Sequence, residues 1–181
     1  ATLHQTELLD LIVENLLEVF PCAELAAIYM LDPATTRMIP MRILARDRGD
    51  IPADFGKSMH LEDVAASSAG LAMHAPMLHG AGVLGVLQVR VREGAALSQG
   101  DLDLLNALAV HAALALTSSR MHQESLARER LAQDLVLAER IQRSFLPISL
   151  PAIEGVTFAA DYEPAYSVGG DFYDVFAQGP G

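Results

Sequence analysis

The chain has 181 residues and a mass of 19.4 kDa, room for one full domain and part of a second at roughly 150 residues per domain. With 51% hydrophobic and 19% charged residues and a mean hydropathy of +0.28, its composition is that of a chain able to bury a core, not of a disordered segment. Twelve basic against twenty-three acidic side chains give a net charge of -11 and a pI near 4.8, the wrong sign for neutralising nucleic-acid phosphates or anionic lipid, so neither is expected as a partner.

The uncharged stretch Leu104 to Ser119 contains His111, Asn106, Thr117 and two serines and falls short of the ~20 mostly apolar residues that span a bilayer, so no transmembrane helix is expected. Glu7 and Asp10 interrupt the first apolar run, and no basic region precedes it, which does not read as a secretion signal. A single cysteine, Cys22, excludes an internal disulfide framework and suits a reducing compartment. The expected location is the cytoplasm.

Taken in chain order, Leu8, Leu9, Ile12, Val13, Leu16 and Leu17 recur at three-to-four spacing, which predicts an amphipathic helix stopped by Pro21. Two apolar, strand-like runs follow, Leu25 to Leu31 and Met38 to Ala45, around the turn-forming Asp32-Pro33-Ala34-Thr35-Thr36. Residues 47 to 69 have no clear period and predict a loop with one short helix near His60 to Ala66. A second hairpin is predicted from Leu71 to Leu78 and Val83 to Val91 across the four-residue connection His79-Gly80-Ala81-Gly82. Ser98 with Asp101 makes a helix-capping pair ahead of a stripe through Leu102, Leu105, Leu108, Ala109, Ala112, Ala113 and Leu116. Helix, hairpin, hairpin, helix predicts an α+β layer fold, an antiparallel sheet covered by helices, over residues 1 to 117.

Residues 118 to 147 form the second piece. Neither Gly nor Pro occurs from Ser118 to Leu146, and a four-three spacing runs through Leu131, Leu135, Ala138, Gln142 and Phe145. A long linker helix is predicted, with these five residues as a coiled-coil seam for a parallel homodimer; a single amphipathic helix lying on its own domain is the competing reading. Residues 148 to 181, bearing no basic and five acidic side chains, are the third piece. They include a strand-like run from Val156 to Tyr162 and fall below the ~40 residues that fold alone, so a continuation of the chain is expected.

Within that last piece, Gly169-Gly170-Asp171-Phe172-Tyr173-Asp174 lets the backbone approach closely at its glycines. It places the carboxylates of Asp171 and Asp174 where no Lys or Arg neutralises them, a setting suited to a hard divalent cation. Together with Ala138-Glu139-Arg140-Ile141-Gln142-Arg143-Ser144-Phe145-Leu146-Pro147 and Tyr162-Glu163-Pro164-Ala165, it resembles the start of the metal-dependent serine/threonine phosphatase domain of the SpoIIE and RsbU type, within the PPM family. Residues 1 to about 117 resemble a GAF domain through Ala75-Pro76-Met77-Leu78, Gly82-Val83-Leu84-Gly85-Val86-Leu87 and Asp101-Leu102-Asp103-Leu104-Leu105.

The resemblance implies a bacterial regulator in which a GAF domain and linker helix govern dephosphorylation of a phosphoserine protein, in the manner of partner-switching control of sigma factors. It implies two Mn²⁺ or Mg²⁺ ions in the intact phosphatase domain, with Asp171 a metal ligand and Asp174 a further candidate on the Gly169-Gly170 backbone. The family also needs a later Asp-Gly-x-Gly segment and more Asp ligands, none of which occurs here, so no complete catalytic set is expected and this chain by itself is expected to be inactive. A non-catalytic dimeric GAF module with a degenerate output domain is the alternative. The GAF ligand, if there is one, is left open. The cyclic-nucleotide GAF pattern is absent, and His60, His74, His79 and His111 have no metal-ligand spacing. His74, His79 and His111 are read as ordinary structural residues.

Overall fold

The computed structural model describes residues 3–47, 51–52, 55–60 and 71–175. These divide into two compact units, one up to Met121 and one from His122.

The first unit opens with α1, Leu3–Val19. Its apolar stripe, Leu9, Val13, Leu16 and Leu17, is buried together with Phe20 just beyond it. Arg46 ends this helix in a way its sequence position does not announce: its guanidinium donates to the carbonyls of Leu17, Phe20 (3.0 Å) and Ala23 (2.8 Å), groups left without helical partners.

Five strands follow: β1 Ala23–Asp32, β2 Arg37–Ala45, β3 Met59–His60, β4 Ala72–His79 and β5 Gly82–Val91. They make one antiparallel sheet in the order β3-β2-β1-β5-β4. The β1–β2 turn is held by Asp32, whose carboxylate accepts the Ala34 N–H (3.0 Å) and the Thr35 hydroxyl (2.6 Å). Those bonds hold the Asp32 carboxyl below the usual range, the Thr35 hydroxyl contributing most. The β4–β5 connection is tighter than the four residues expected from sequence. His79 already pairs with Gly82, leaving Gly80-Ala81 as a two-residue turn with Gly80 at φ +58°. Glycine at the first central position is what a two-residue turn compatible with strand twist requires. Of the short helix expected near His60 to Ala66, His60 instead pairs with Arg37 in β3, and residues 61–66 lie outside the described residues.

Side chains alternate across the sheet with period two. Ala26, Ile28, Met73, Ala75, Met77, Leu87 and Val89 pack with α1 and with Leu105, Ala109, Ala112, Ala113 and Leu116 of α2, Gln99–Ser144. The alanines bring α2 close to the sheet. Leu25, Ala27, Tyr29, Met38 and Val86 form a second core with Phe55 on the other face. The start of α2 is boxed as the sequence predicts: Asp101 Oδ2 accepts the Ser98 N–H (2.8 Å) and hydroxyl (2.6 Å), and the Asp101 N–H donates back to Ser98 Oγ (3.2 Å).

Part of α2 is long and apolar enough to cross a membrane by length and composition alone, contrary to the expectation from its charge-free stretch. Five of its residues there are buried in the first unit's core, and a core helix of a folded domain passes the same test.

The second unit consists of the latter part of α2 and residues 145–175. The helix ends at Ser144, so Phe145 stands past its last residue, in a tightened turn where its N–H bonds the Gln142 carbonyl (3.0 Å). The strand expected over Val156 to Tyr162 does not form: among the described residues of this piece the sole ladder element is the isolated bridge Ile153↔Val156. A strand exists only with a neighbour to bond, and no described segment lies alongside residues 157–162 as one. Strands of a phosphatase domain are therefore not seen here.

Candidate functional site

Two polar arrangements stand out, one in each unit. In the first, register sets Gln88 of β5 opposite Ala27 of β1 on one side and His74 of β4 on the other. Tyr29, two residues further along β1, is diagonal to Gln88 on the same face. Its hydroxyl donates to Gln88 Oε1 (2.8 Å) and accepts the Gly56 N–H (3.2 Å), while Gln88 Nε2 donates to His74 Nε2 (2.7 Å). The amide nitrogen can only donate, so His74 Nε2 accepts, and the ring is neutral with its proton on Nδ1. Burial pushes the His74 pKa down to about 4 and raises that of Tyr29, the Gly56 N–H opposing the latter in small part. A directed chain of hydrogen bonds thus runs from the segment around Gly56 across three strands to His74.

The remaining histidines are scattered. His60 Nε2 lies 2.7 Å from Arg37 Nη1, His79 Nδ1 lies 3.5 Å from Thr117 Oγ1, and His111 borders a shallow apolar groove of ≈ 200 Å³ beside Leu8, Leu11 and Asn15. Cys22 is half-buried in the turn before β1.

In the second unit the three separate sequence elements singled out above interlock. Gln142, on α2, bonds Gly169 twice: its Nε2 donates to the Gly169 carbonyl (2.5 Å) and its Oε1 accepts the Gly169 N–H (2.9 Å). The same Nε2 lies 3.4 Å from the Asp171 carbonyl. The side-chain amide engages the backbone as a neighbouring strand would. On the other side of Gly169 lies Tyr162. A Cβ at residue 169 would stand 2.0 Å from the Tyr162 hydroxyl and 3.3 Å from Pro164 Cβ, so only glycine fits. The Tyr162 hydroxyl is buried there and has no hydrogen-bond partner among the described residues.

The carboxylates themselves are not assembled. Asp171 and Asp174 are both exposed, Asp174 Oδ1 accepts the Val175 N–H (2.8 Å), and no group of three His, Cys, Asp or Glu able to hold a metal occurs among the described residues. Two exposed carboxylates, one already engaged by backbone, do not hold a pair of divalent cations. Of the five seam residues, Ala138 and Gln142 are half-buried, whereas Leu131 and Phe145 are 60% and 67% exposed. Sequence spacing placed Gln142 on that stripe and missed its partner Gly169, because the chain returns only 27 residues later. Tyr29 and Gln88 were missed too, although Gln88 is the one amide in the apolar run Val83 to Val91.

The antiparallel sheet with α1 and α2 on one face is the fold of a GAF domain. The second GAF domain of DevS from Mycobacterium smegmatis superposes with a TM-score of 0.54 at 16% identity, covering 67% of this chain and 99% of that one. The GAF domain of the Acinetobacter phosphoenolpyruvate-protein phosphotransferase gives 0.52 at 18% identity, covering 66% of this chain and 86% of that one. No protein-family model matches the chain. Protein IcfG of Synechocystis sp. is 50% identical over 46 residues, a stretch that amounts to 25% of this chain and 7% of that protein's length.

Proposed function

We propose that this chain is the regulatory GAF and linker portion of a metal-dependent protein serine phosphatase that acts on a phosphoserine regulator in the cytoplasm. The observation that carries this reading is the interlock of Gln142, Tyr162, Pro164 and Gly169. These residues come from the three motifs that resemble the SpoIIE and RsbU type, and a chance coincidence of three sequence patterns gives no reason for them to meet. The GAF fold upstream suits a sensory role, and the seam residues Leu131, Leu135, Ala138, Gln142 and Phe145 suit a homodimer. The acidic net charge supports a protein partner over nucleic acid or a membrane surface.

In this reading Asp171 and Asp174 would supply part of the ligand set for two Mn²⁺ or Mg²⁺ ions, whose chemistry, once further ligands complete the site, would be polarisation of the phosphoryl group and activation of water. The part played by this chain's own residues is positional: Gln142 and Tyr162 fix the backbone at Gly169, two residues before Asp171. The test uses the full-length gene product. Mn²⁺-dependent phosphate release from a phosphoserine protein, abolished by Asp171→Ala, is expected; undiminished release in chelator overturns the reading.

A second reading has its own observation. The part of the chain with a recognised fold is the GAF-like first unit, which suits a non-catalytic dimeric GAF module with a degenerate output domain. Absence of phosphate release from the full-length protein with either metal, with dimerisation intact, selects it.

A further inference from the structure

Beyond the first unit, α2 carries apolar side chains on two opposite sides. Leu131, Leu135, Ala138 and Gln142 make one stripe. At about 100° per residue, the side turned about 180° away bears Glu129, Ala132, Gln133, Val136, Leu137 and Arg140, which line a shallow groove along the helix. Val136 and Leu137 are 50% and 57% exposed, and with Leu135 they make three consecutive apolar residues in a stretch otherwise rich in charge. A partner helix lying along the first stripe leaves this second one in water, where a contiguous apolar strip marks a contact.

The groove has an internal symmetry. Its positions mirror one another about the midpoint between residues 134 and 135, Glu129 with Arg140, Ala132 with Leu137 and Gln133 with Val136. Laid antiparallel on its own copy, with a two-fold axis through that midpoint, the helix meets acid with base at both ends and seats a bulky Leu against a small Ala twice. One turn further out, Leu126, 40% exposed, falls opposite Arg143, whose aliphatic stem covers it. A parallel copy on this face would set Glu129 against Glu129 and Arg140 against Arg140. Within one chain the two charges stand about 16 Å apart along the axis, too far to pair with each other. Charge complementarity therefore selects the occupant and its direction.

We infer that this face of α2 is a self-association surface on which a second copy of the chain lies antiparallel, Glu129 of each against Arg140 of the other. The contact differs from the proposed homodimer seam in its residues and in its direction, and neither needs the other. Where both form, two seam dimers meet back to back.

The experiment uses this chain with Leu131→Asp, Leu135→Asp and Cys22→Ser, which removes the seam, so that a failure of the seam is read separately. Sedimentation at low salt and high micromolar concentration is expected to show a dimer. Glu129→Arg weakens the association about tenfold or more, and Glu129→Arg with Arg140→Glu restores it to within about threefold. When chains bearing Glu129→Cys are mixed with chains bearing Arg140→Cys and oxidised, the disulfide joins unlike chains, because in like chains the two thiols lie about 16 Å apart. A monomeric seam-free chain leaves the groove to a different protein and overturns the inference. So do disulfides between like chains, which make the contact parallel, a single reversal without effect, and a double reversal that fails to restore association.

Discussion

The Tyr29 hydroxyl and the His74 imidazole lie on strands that are not neighbours, yet a single side chain, Gln88, bonds both, at 2.8 and 2.7 Å. Because the Gln88 amide presents its oxygen to Tyr29 and its NH₂ to His74, the direction of every bond in the chain is fixed by the neutral state of the ring. Protonating His74 puts a second donor against the amide nitrogen and requires the amide to flip, which takes away the acceptor of the Tyr29 hydroxyl.

Acid should therefore unfold the first unit through this ring. The folded pKa of His74 is lowered to about 4, so between an unfolded value of about 6.5 and that point the unfolded chain binds the proton and the folded chain does not. The stabilisation is complete above about pH 6.5 and is lost as pH falls toward 4, by about 3 kcal/mol in all. Urea midpoints measured from pH 7.5 to 4.5 should show this slope, and His74→Gln should flatten it.

Removing the bridge should cost more than removing either end. Gln88→Leu strands the Tyr29 hydroxyl and the His74 ring nitrogen and is expected to destabilise by about 2–4 kcal/mol. Tyr29→Phe is expected to cost about 1–2 kcal/mol. A double-mutant cycle by chemical denaturation should give a total smaller than the sum, because the two changes break one shared bond.

Arg46 should be the most costly surface arginine to replace in the first unit. It joins three carbonyls at and beyond the end of α1, so Arg46→Met, which keeps the apolar stem, is expected to lose about 2 kcal/mol. Arg92 meets Asp47 at 3.5 Å with both side chains more than half exposed, and Arg92→Met is expected to change stability by less than about 0.5 kcal/mol. Thermal melts of the two variants side by side check the contrast.

At the second unit, Gly169→Ala should eject Tyr162, since the added methyl would overlap its hydroxyl. Limited proteolysis should then cut between residues 148 and 175 several times faster, with the melting of the first unit unchanged. Tyr162→Phe removes a buried hydroxyl that has no partner among the described residues. It is expected to slow cleavage of the same segment, because a desolvated, unpaired group is lost.

Local chemistry made much of this architecture legible in the sequence. The Leu8 to Leu17 stripe, the Asp32-Pro33 turn and the Ser98–Asp101 box each act within a few residues, so spacing alone exposes them. β3 left no such mark: two residues, Met59 and His60, carry no period, and they pair only because Arg37 and Met38 offer an edge. Alternation within each strand does not reveal the register that joins Tyr29, His74 and Gln88, which depends on a bulge between Ala23 and Leu25 and on the tightness of the Gly80-Ala81 turn. The Val156 to Tyr162 run misled for the opposite reason, since β-propensity describes a surface that fits a sheet and supplies no sheet to fit. At the second unit the sequence marked Gln142 and Gly169 separately, and no periodic pattern relates residues joined by an irregular return of the chain.

The outer strand β4 carries a proline in mid-strand, Pro76, and so does β2, at Pro40, beyond the two residues that pair with β3. A proline in a strand is tolerated where its nitrogen faces away from the ladder or at a bulge, and it presents no N–H to an incoming strand. The β4 edge thus has a gap in its row of donors, the device by which sheets resist growing edge to edge. Two copies that meet under crowded conditions are steered away from a continuous intermolecular sheet, the route to fibrils, and toward association through their helices.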